Sequence, residues 1–139
     1  NSACRRLGKR ARANLGDAIP AFDMLADVLK DSAAAGSLKA LDGREIPIAS
    51  DHVGLAMLLQ SFEACVMKYA MVGSDMVLPD SADIVGWIHD EFQTECLPED
   101  ADATGQAMTC AMAAAGEHYN LRVPIAGEYK VGASWADTH

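Results

Sequence analysis

The chain has 139 residues, of which 50% are hydrophobic and 22% charged, with a formal net charge of −9. That length fits one domain with a core of its own, and the composition is globular, not disordered. The acidic balance argues against a simple nucleic-acid binder, and no run reaches the ~20 apolar residues expected of a membrane span.

Asn1-Ser2-Ala3-Cys4-Arg5-Arg6 has no apolar segment after its basic pair and does not read as a secretory signal. The start at Asn1, without an initiator methionine, leads us to expect a chain cut from something longer. Cys4, Cys65, Cys96 and Cys110 form no CxxC pair and no zinc spacing. They are expected to be reduced thiols of an intracellular protein, with Cys65, Cys96 and Cys110 in the core. Charge is unevenly placed. Residues 1–12 carry Arg5, Arg6, Lys9, Arg10 and Arg12 and no acid, whereas residues 69–121 carry ten acids and no Lys or Arg. Phosphate binding at one place and cation binding at another would suit this. A basic helix end beside an acidic solvated surface would suit it equally.

Residues 4–17 read as a polar helix with the basic cluster on several sides, broken at Ile19-Pro20. A second helix is expected over 21–35, with Phe22, Leu25, Ala26, Leu29 and Ala33 on one face and Gly36 ending it. Asp42-Gly43, between the runs 38–41 and 45–48, is a strong hairpin signal. Arg44 follows that turn, as an exposed strand charge or a phosphate contact.

The longest helix is expected over 53–71. Leu55, Leu58, Leu59, Phe62, Val66 and Tyr69 form its buried stripe, with Gln60 and Glu63 off it. Pro98-Glu99-Asp100 suits the start of another helix, packed through Ala101, Thr104, Met108, Ala111, Met112, Ala115 and Tyr119. Residues 123–125 and 128–131 read as late strands or extended segments.

Between these helices lies the stretch 84–96, IVGWIHDEFQTEC. An apolar run enters His89-Asp90-Glu91. Phe92, Thr94 and Cys96 then alternate with Gln93 and Glu95. The pattern predicts two strands with a tight reversal at His89-Asp90. Such a turn normally wants glycine, because its central residues can need positive φ. His and Asp are among the few other residues that tolerate that region. A local rule broken between two good strands points to a site. If Asp90 meets a second carboxylate at ~4 Å, the repulsion is ~4 kcal/mol at an effective dielectric of ~20. A hard divalent cation would remove that cost. The plainer reading is a solvated acidic tip.

Taken together, these motifs resemble the C-terminal palm region of family A DNA polymerases, the DNA polymerase I type, and especially their phage branch. Leu41-Asp42-Gly43-Arg44 resembles the hairpin before the family's long helix. Ser50-Asp51-His52 and Leu58-Leu59-Gln60 resemble that helix's start and middle. Ile88-His89-Asp90-Glu91 matches the family's (V/I)HDE motif, and Trp135-Ala136-Asp137-Thr138-His139 resembles its C-terminal tail.

The resemblance implies an α/β (α+β) fold: a small antiparallel sheet bearing the hairpin at 84–96, packed by helices, as a partial palm with part of the fingers. Residues 1–139 would form one domain, with 1–35 a helical fingers-side segment and 36–139 palm. It implies template-directed nucleotidyl transfer with two Mg²⁺ in the complete enzyme. Asp90 would ligate metal, Glu91 would support the site and His89 would lie near the primer end. Arg44, His52 and Gln60 would face template–primer DNA.

This chain has Ala56 where the family usually has Asn, and Ser61 where Gly commonly follows the Gln. The strand with the first metal-binding Asp and the fingers helix that clamps the dNTP have no counterpart in it. The expectation is therefore a palm fragment, inactive alone, that needs an N-terminal polymerase segment or self-associates through apolar surface. Its setting would be the cytoplasm of a bacterial or phage-infected cell. The alternative is a non-catalytic DNA- or partner-binding module retaining the palm fold.

Overall fold

A computed structural model describes residues 2–138; for Asp51 and His52 it describes the backbone alone. The fold is mixed α and β: helices and two separate two-stranded antiparallel sheets. The chain divides into two compact units, Asn1–Gln60 and Ser61–His139.

In the first unit, α1 (Ser2–Ala18) is followed by α2 (Pro20–Ala35). Pro20 stands in the first turn of α2, where its missing N–H costs nothing. Gly36 closes α2 at φ 79°, in the left-handed region that an L side chain avoids. The chain then forms β1 (Ser37–Lys39) and β2 (Glu45–Pro47), with Leu38 opposite Ile46. Their loop is one residue longer than a minimal hairpin. The Gly43 N–H donates to Ala40 O at 3.0 Å, and Gly43 takes φ 87°. That is the three-residue hairpin with glycine in the left-handed position.

Leu29, Leu38 and Ile48 form the core of this unit, with Leu25, Ala33, Leu55, Met57 and Leu58 against them. The apolar face expected for α2 is thus the face that packs. Gly54 gives α2 room: a Cβ there would sit 3.2 Å from Leu29 Cδ2.

Helix α3 (Asp51–Asp75) starts in the first unit and continues into the second. It is longer than the expected 53–71, and its stripe is shifted. Cys65, Val66, Met67, Ala70 and Ser74 are buried, whereas Leu59 is 59% and Tyr69 38% exposed. By length and composition 53–75 is also apolar enough to cross a membrane, which corrects the expectation that no such run exists. Only 22% of that window is buried, and Glu63 and Lys68 stand within it.

The second unit adds β3 (Asp83–Ile88), β4 (Glu91–Glu95), a 3-10 turn (Pro98–Asp100), α4 (Ala101–His118) and a short α5 (Trp135–Thr138). Helix α4 buries Thr104, Gly105, Ala111, Ala115 and Gly116. It meets α3 where a Cβ on Gly73 would lie 3.7 Å from that of Ala111. Tyr69 stacks on His118 at 4.0 Å, and Tyr119 meets Tyr69 edge-on at 6.0 Å.

The end of α4 is a Schellman motif. Asn120 takes φ 52°, its N–H donates to Glu117 O at 2.9 Å, and the Leu121 N–H donates to Gly116 O at 3.0 Å. The reversed chain then runs back over α4 without forming the strands expected at 123–125 and 128–131. It lies so close that α4 needs glycine beneath it. A Cβ on Gly105 would sit 2.3 Å from the Tyr129 ring, and one on Gly116 would sit 3.0 Å from Ile125. The Tyr129 hydroxyl donates to Asp102 Oδ1 at 3.3 Å. All four cysteines are free: Cys65 is buried and Cys96 half-buried, but Cys110 is exposed, contrary to the core position expected for it.

The accessible surface is 9939 Å². Met24, Val28, Val72, Met76, Val77 and Val85 are among the large apolar side chains left exposed.

Gly105 tests the packing of α4, with Gly8 of α1 as its control. Gly105→Ala should lower stability by about 1–3 kcal/mol, because the Tyr129 ring must move. Gly8→Ala should raise it by about 0.5–1 kcal/mol, because nothing lies within 4 Å of the new Cβ in an exposed helix. Urea denaturation of the two variants should give opposite signs. Equal effects would contradict the close approach at Gly105.

Candidate active site

Strands β3 and β4 pair with Ile88 opposite Glu91, which leaves His89 and Asp90 as the two-residue reversal. His89 has φ 55°, and Asp90 does not share the positive sign. A positive first central residue followed by a negative one is the type II′ pattern, whose first position usually holds glycine. The expectation of a reversal at His89-Asp90 is met, with the left-handed residue at histidine alone.

Two interactions hold it there. The ladder closes at Ile88 and Glu91, and the Trp87 indole Nε1 donates to His89 O at 2.6 Å. The Trp87 ring in turn meets its cross-strand partner Phe92 edge-on at 5.9 Å. The aromatic pair therefore carries the indole N–H to the turn.

Farther from the tip the register slips. Ile84 opposes Thr94 and Gly86 opposes Gln93, so Val85 is an extra residue in β3. A bulge of this kind bends the strand, increases its twist and re-aims the side chains beyond it. On the other strand, the Thr94 hydroxyl lies 3.0 Å from Met108 Sδ, which ties that face of β4 to α4.

His89 and Asp90 are exposed and Glu91 is half-buried. Glu91 Oε1 accepts a hydrogen bond from Gln93 Nε2. Gln93 Oε1 lies 3.5 Å from Thr138 Oγ1, long for a hydroxyl hydrogen bond but within touching distance. The C-terminal turn thus rests beside the hairpin. Ser134 Oγ donates to Asp137 Oδ2 at 2.8 Å within that turn. The matching tail residue His139 lies outside the described residues.

Trp87 and Gln93 are the residues that the sequence reading did not single out. Gln93 was legible as the same-face neighbour of Glu91 two positions on. The reach of Trp87 to a carbonyl was not, because it depends on the turn geometry.

The residues expected to face DNA lie in the other unit. Arg44 is 54% exposed and is engaged by Asp42: Nε donates to Oδ2 at 2.7 Å, Nη2 donates to the same oxygen, and the Arg44 N–H donates to Oδ1 at 3.3 Å. A phosphate there would have to share Arg44 with Asp42. Gln60 is exposed on α3. The His52 backbone lies in the first turn of α3, and its side chain is outside the described residues. The structure therefore brings His89, Asp90 and Glu91 onto one turn and leaves Arg44, His52 and Gln60 in the first unit.

Among the described residues no group of three or more His, Cys, Asp or Glu converges on a cation site. Asp90 offers one exposed carboxylate, and Glu91 is engaged by Gln93. Mg²⁺ wants six oxygens in near-octahedral array and usually takes one or two carboxylates with water and substrate phosphates. This donor set does not close such a site; the remaining oxygens would have to come from outside the chain.

His89 can be tested on backbone grounds. In an L residue the left-handed conformation costs about 1–2 kcal/mol. His89→Gly should leave stability within about 1 kcal/mol of the parent, because relieved strain offsets the entropy of glycine. His89→Val should destabilise by about 1–2 kcal/mol, because a β-branched residue is poorly accommodated there. Equal unfolding midpoints for the two variants would contradict the positive φ.

No family model matches the chain. It is similar to three phage proteins named DNA-directed DNA polymerase. Identity is 33% over 112 residues for that of Enterobacteria phage T3 and 31% over 112 residues for that of Escherichia phage T7. It is 30% over 131 residues for that of Escherichia phage Phieco32. The matches cover 73%, 73% and 86% of this chain, but only 16%, 16% and 21% of the relatives. The chain thus spans about a fifth or less of their length, and the polymerase resemblance read from the motifs is borne out over most of it.

Proposed function

We propose that this chain is the C-terminal palm region of a family A DNA polymerase, with residues 1–35 as a fingers-side helical segment and 36–139 as palm. The observation that carries the reading is the hairpin. Its exposed His89-Asp90 reversal runs directly into Glu91, in a chain 30–33% identical to phage DNA polymerases over most of its length.

In the complete enzyme the primer 3′-hydroxyl attacks the α-phosphate of a dNTP. A new O–P bond forms, the hydroxyl proton passes to solvent, and the bond from the α-phosphorus to the pyrophosphate oxygen breaks. Asp90 would provide one carboxylate oxygen toward the divalent cations of that reaction, the remaining ligands coming from outside this chain. Glu91, steadied by Gln93, shapes the negative field beside it. His89 lies at the primer end, and Arg44, His52 and Gln60 meet the template–primer duplex. Magnesium ions, when bound, stabilise the attacking and leaving oxygens.

The described residues hold no closed cation site, so the isolated chain is proposed to be inactive and to bind Mg²⁺ weakly. Positioning and electrostatic stabilisation carry most of phosphoryl transfer, and this chain supplies part of each. The same observation favours a second reading, a non-catalytic DNA- or partner-binding module retaining the palm fold.

Primer extension separates the two. With Mg²⁺ or Mn²⁺ the isolated chain should not extend a primer. Mixed with a separately expressed N-terminal polymerase piece it should do so, and Asp90→Ala should abolish the extension. Extension by the chain alone would overturn the proposed inactivity. No extension in a mixture that forms a stable complex would favour the module.

The exposed large apolar side chains support a partner for this chain. Large exposed patches of that kind drive association. In its absence we expect a dimer or higher oligomer. Analytical ultracentrifugation should show mass rising with concentration, and a strict monomer at high concentration would count against the covered surface.

A further inference from the structure

Among the described residues, the cations of α1 have no ion-pair partner. Arg5, Arg6, Lys9, Arg10 and Arg12 are all exposed. The sequence reading spread them over several sides. At ~100° per residue they instead fall within an arc of about 160°, while Cys4, Leu7, Ala11 and Leu15 fall on the opposite side. Ser2, Arg5, Arg6 and Lys9 line a shallow open depression on the charged face.

The net charge of −9 hides this segregation. Residues 2–18 hold five cations and one carboxylate, Asp17; the other six Lys and Arg and nineteen Asp and Glu lie outside them. Like charges three and four residues apart destabilise a helix by tenths of a kcal/mol each. Among the described residues, folding does not recover that cost.

We propose that this face of α1 is a binding surface for the phosphate backbone of duplex DNA. Arg5 to Arg12 spans about 10 Å of helix axis, the span of about three phosphates along one strand. Helix α1 contains no aromatic residue, so it lacks the stacking platform on which single-strand binders hold bases. Cationic contacts to phosphate alone give affinity without sequence reading. The surface is separate from Arg44, His52 and Gln60 and does not depend on nucleotidyl transfer. Its competitor is an anionic membrane, since Leu7 and Leu15 on the other side are 64% and 41% exposed.

The test uses the whole chain and a labelled duplex of mixed sequence, read by anisotropy across a salt series. Replacing the five cations with Gln keeps helix propensity, and circular dichroism checks that the helix is retained. This variant should bind roughly tenfold more weakly at low salt, and its log K against log salt slope should shrink by about three. A second variant, Arg5→Lys, Arg6→Lys, Arg10→Lys and Arg12→Lys, should keep the parent slope. Unchanged affinity and slope in the five-Gln variant, with binding lost instead in Arg44→Ala/Gln60→Ala, would overturn the α1 surface and leave the polymerase reading standing. Binding to phosphatidylserine vesicles but not to duplex DNA would also overturn it.

Discussion

The hydrogen bond from the Trp87 indole to the carbonyl of His89 is the constraint on which the hairpin depends. A non-glycine residue in the left-handed region is held there only when its surroundings over-determine it. Here the ladder fixes the peptide on one side, and Trp87, braced on Phe92, fixes the carbonyl on the other. The imidazole of His89 and the carboxylate of Asp90 are thereby carried on a rigid tip. Glycine would make the same turn more easily but would present no side chain. The strain is the cost of placing an imidazole at the point of reversal.

Around that tip the second unit is built from close approaches. Gly105 and Gly116 let the returning chain lie against α4, with Tyr129 and Ile125 filling the space where a Cβ would be. Helices α3 and α4 meet through Gly73 and Ala111. Small residues at such contacts let backbones come near one another. The same return brings the C-terminal turn beside Gln93, and through it beside Glu91. The first unit works differently, through larger side chains: Leu29, Leu38 and Ile48 make a conventional core beneath a three-residue hairpin.

Charge follows a third logic. The acids gather in the second unit and the densest cations on α1, so net charge describes neither part. Arg44 shows how pairing changes the meaning of a charge. In sequence it is a free cation after a turn; in the structure Asp42 already engages it. The cations of α1 have no such ion pair among the described residues, so a polyanion would not have to share them with a carboxylate, as it would Arg44.

Local chemistry was legible from the sequence wherever neighbours in the chain decide the outcome. The break at Pro20, the cap at Gly36, the turn at Gly43 and the reversal at His89-Asp90 each follow from backbone preferences of the residues present. So did the packed faces of α2 and α4, because their period is a property of the helix itself. Only the tertiary structure decided what depends on distant segments. It exposed Leu59, Tyr69 and Cys110, placed the bulge at Val85 and left 123–131 extended without strands. A helix shows which of its faces is apolar but not how much of that face a partner covers. A strand shows its alternation but not where its register slips against another. Those quantities belong to pairs of elements, and no single stretch of sequence contains them.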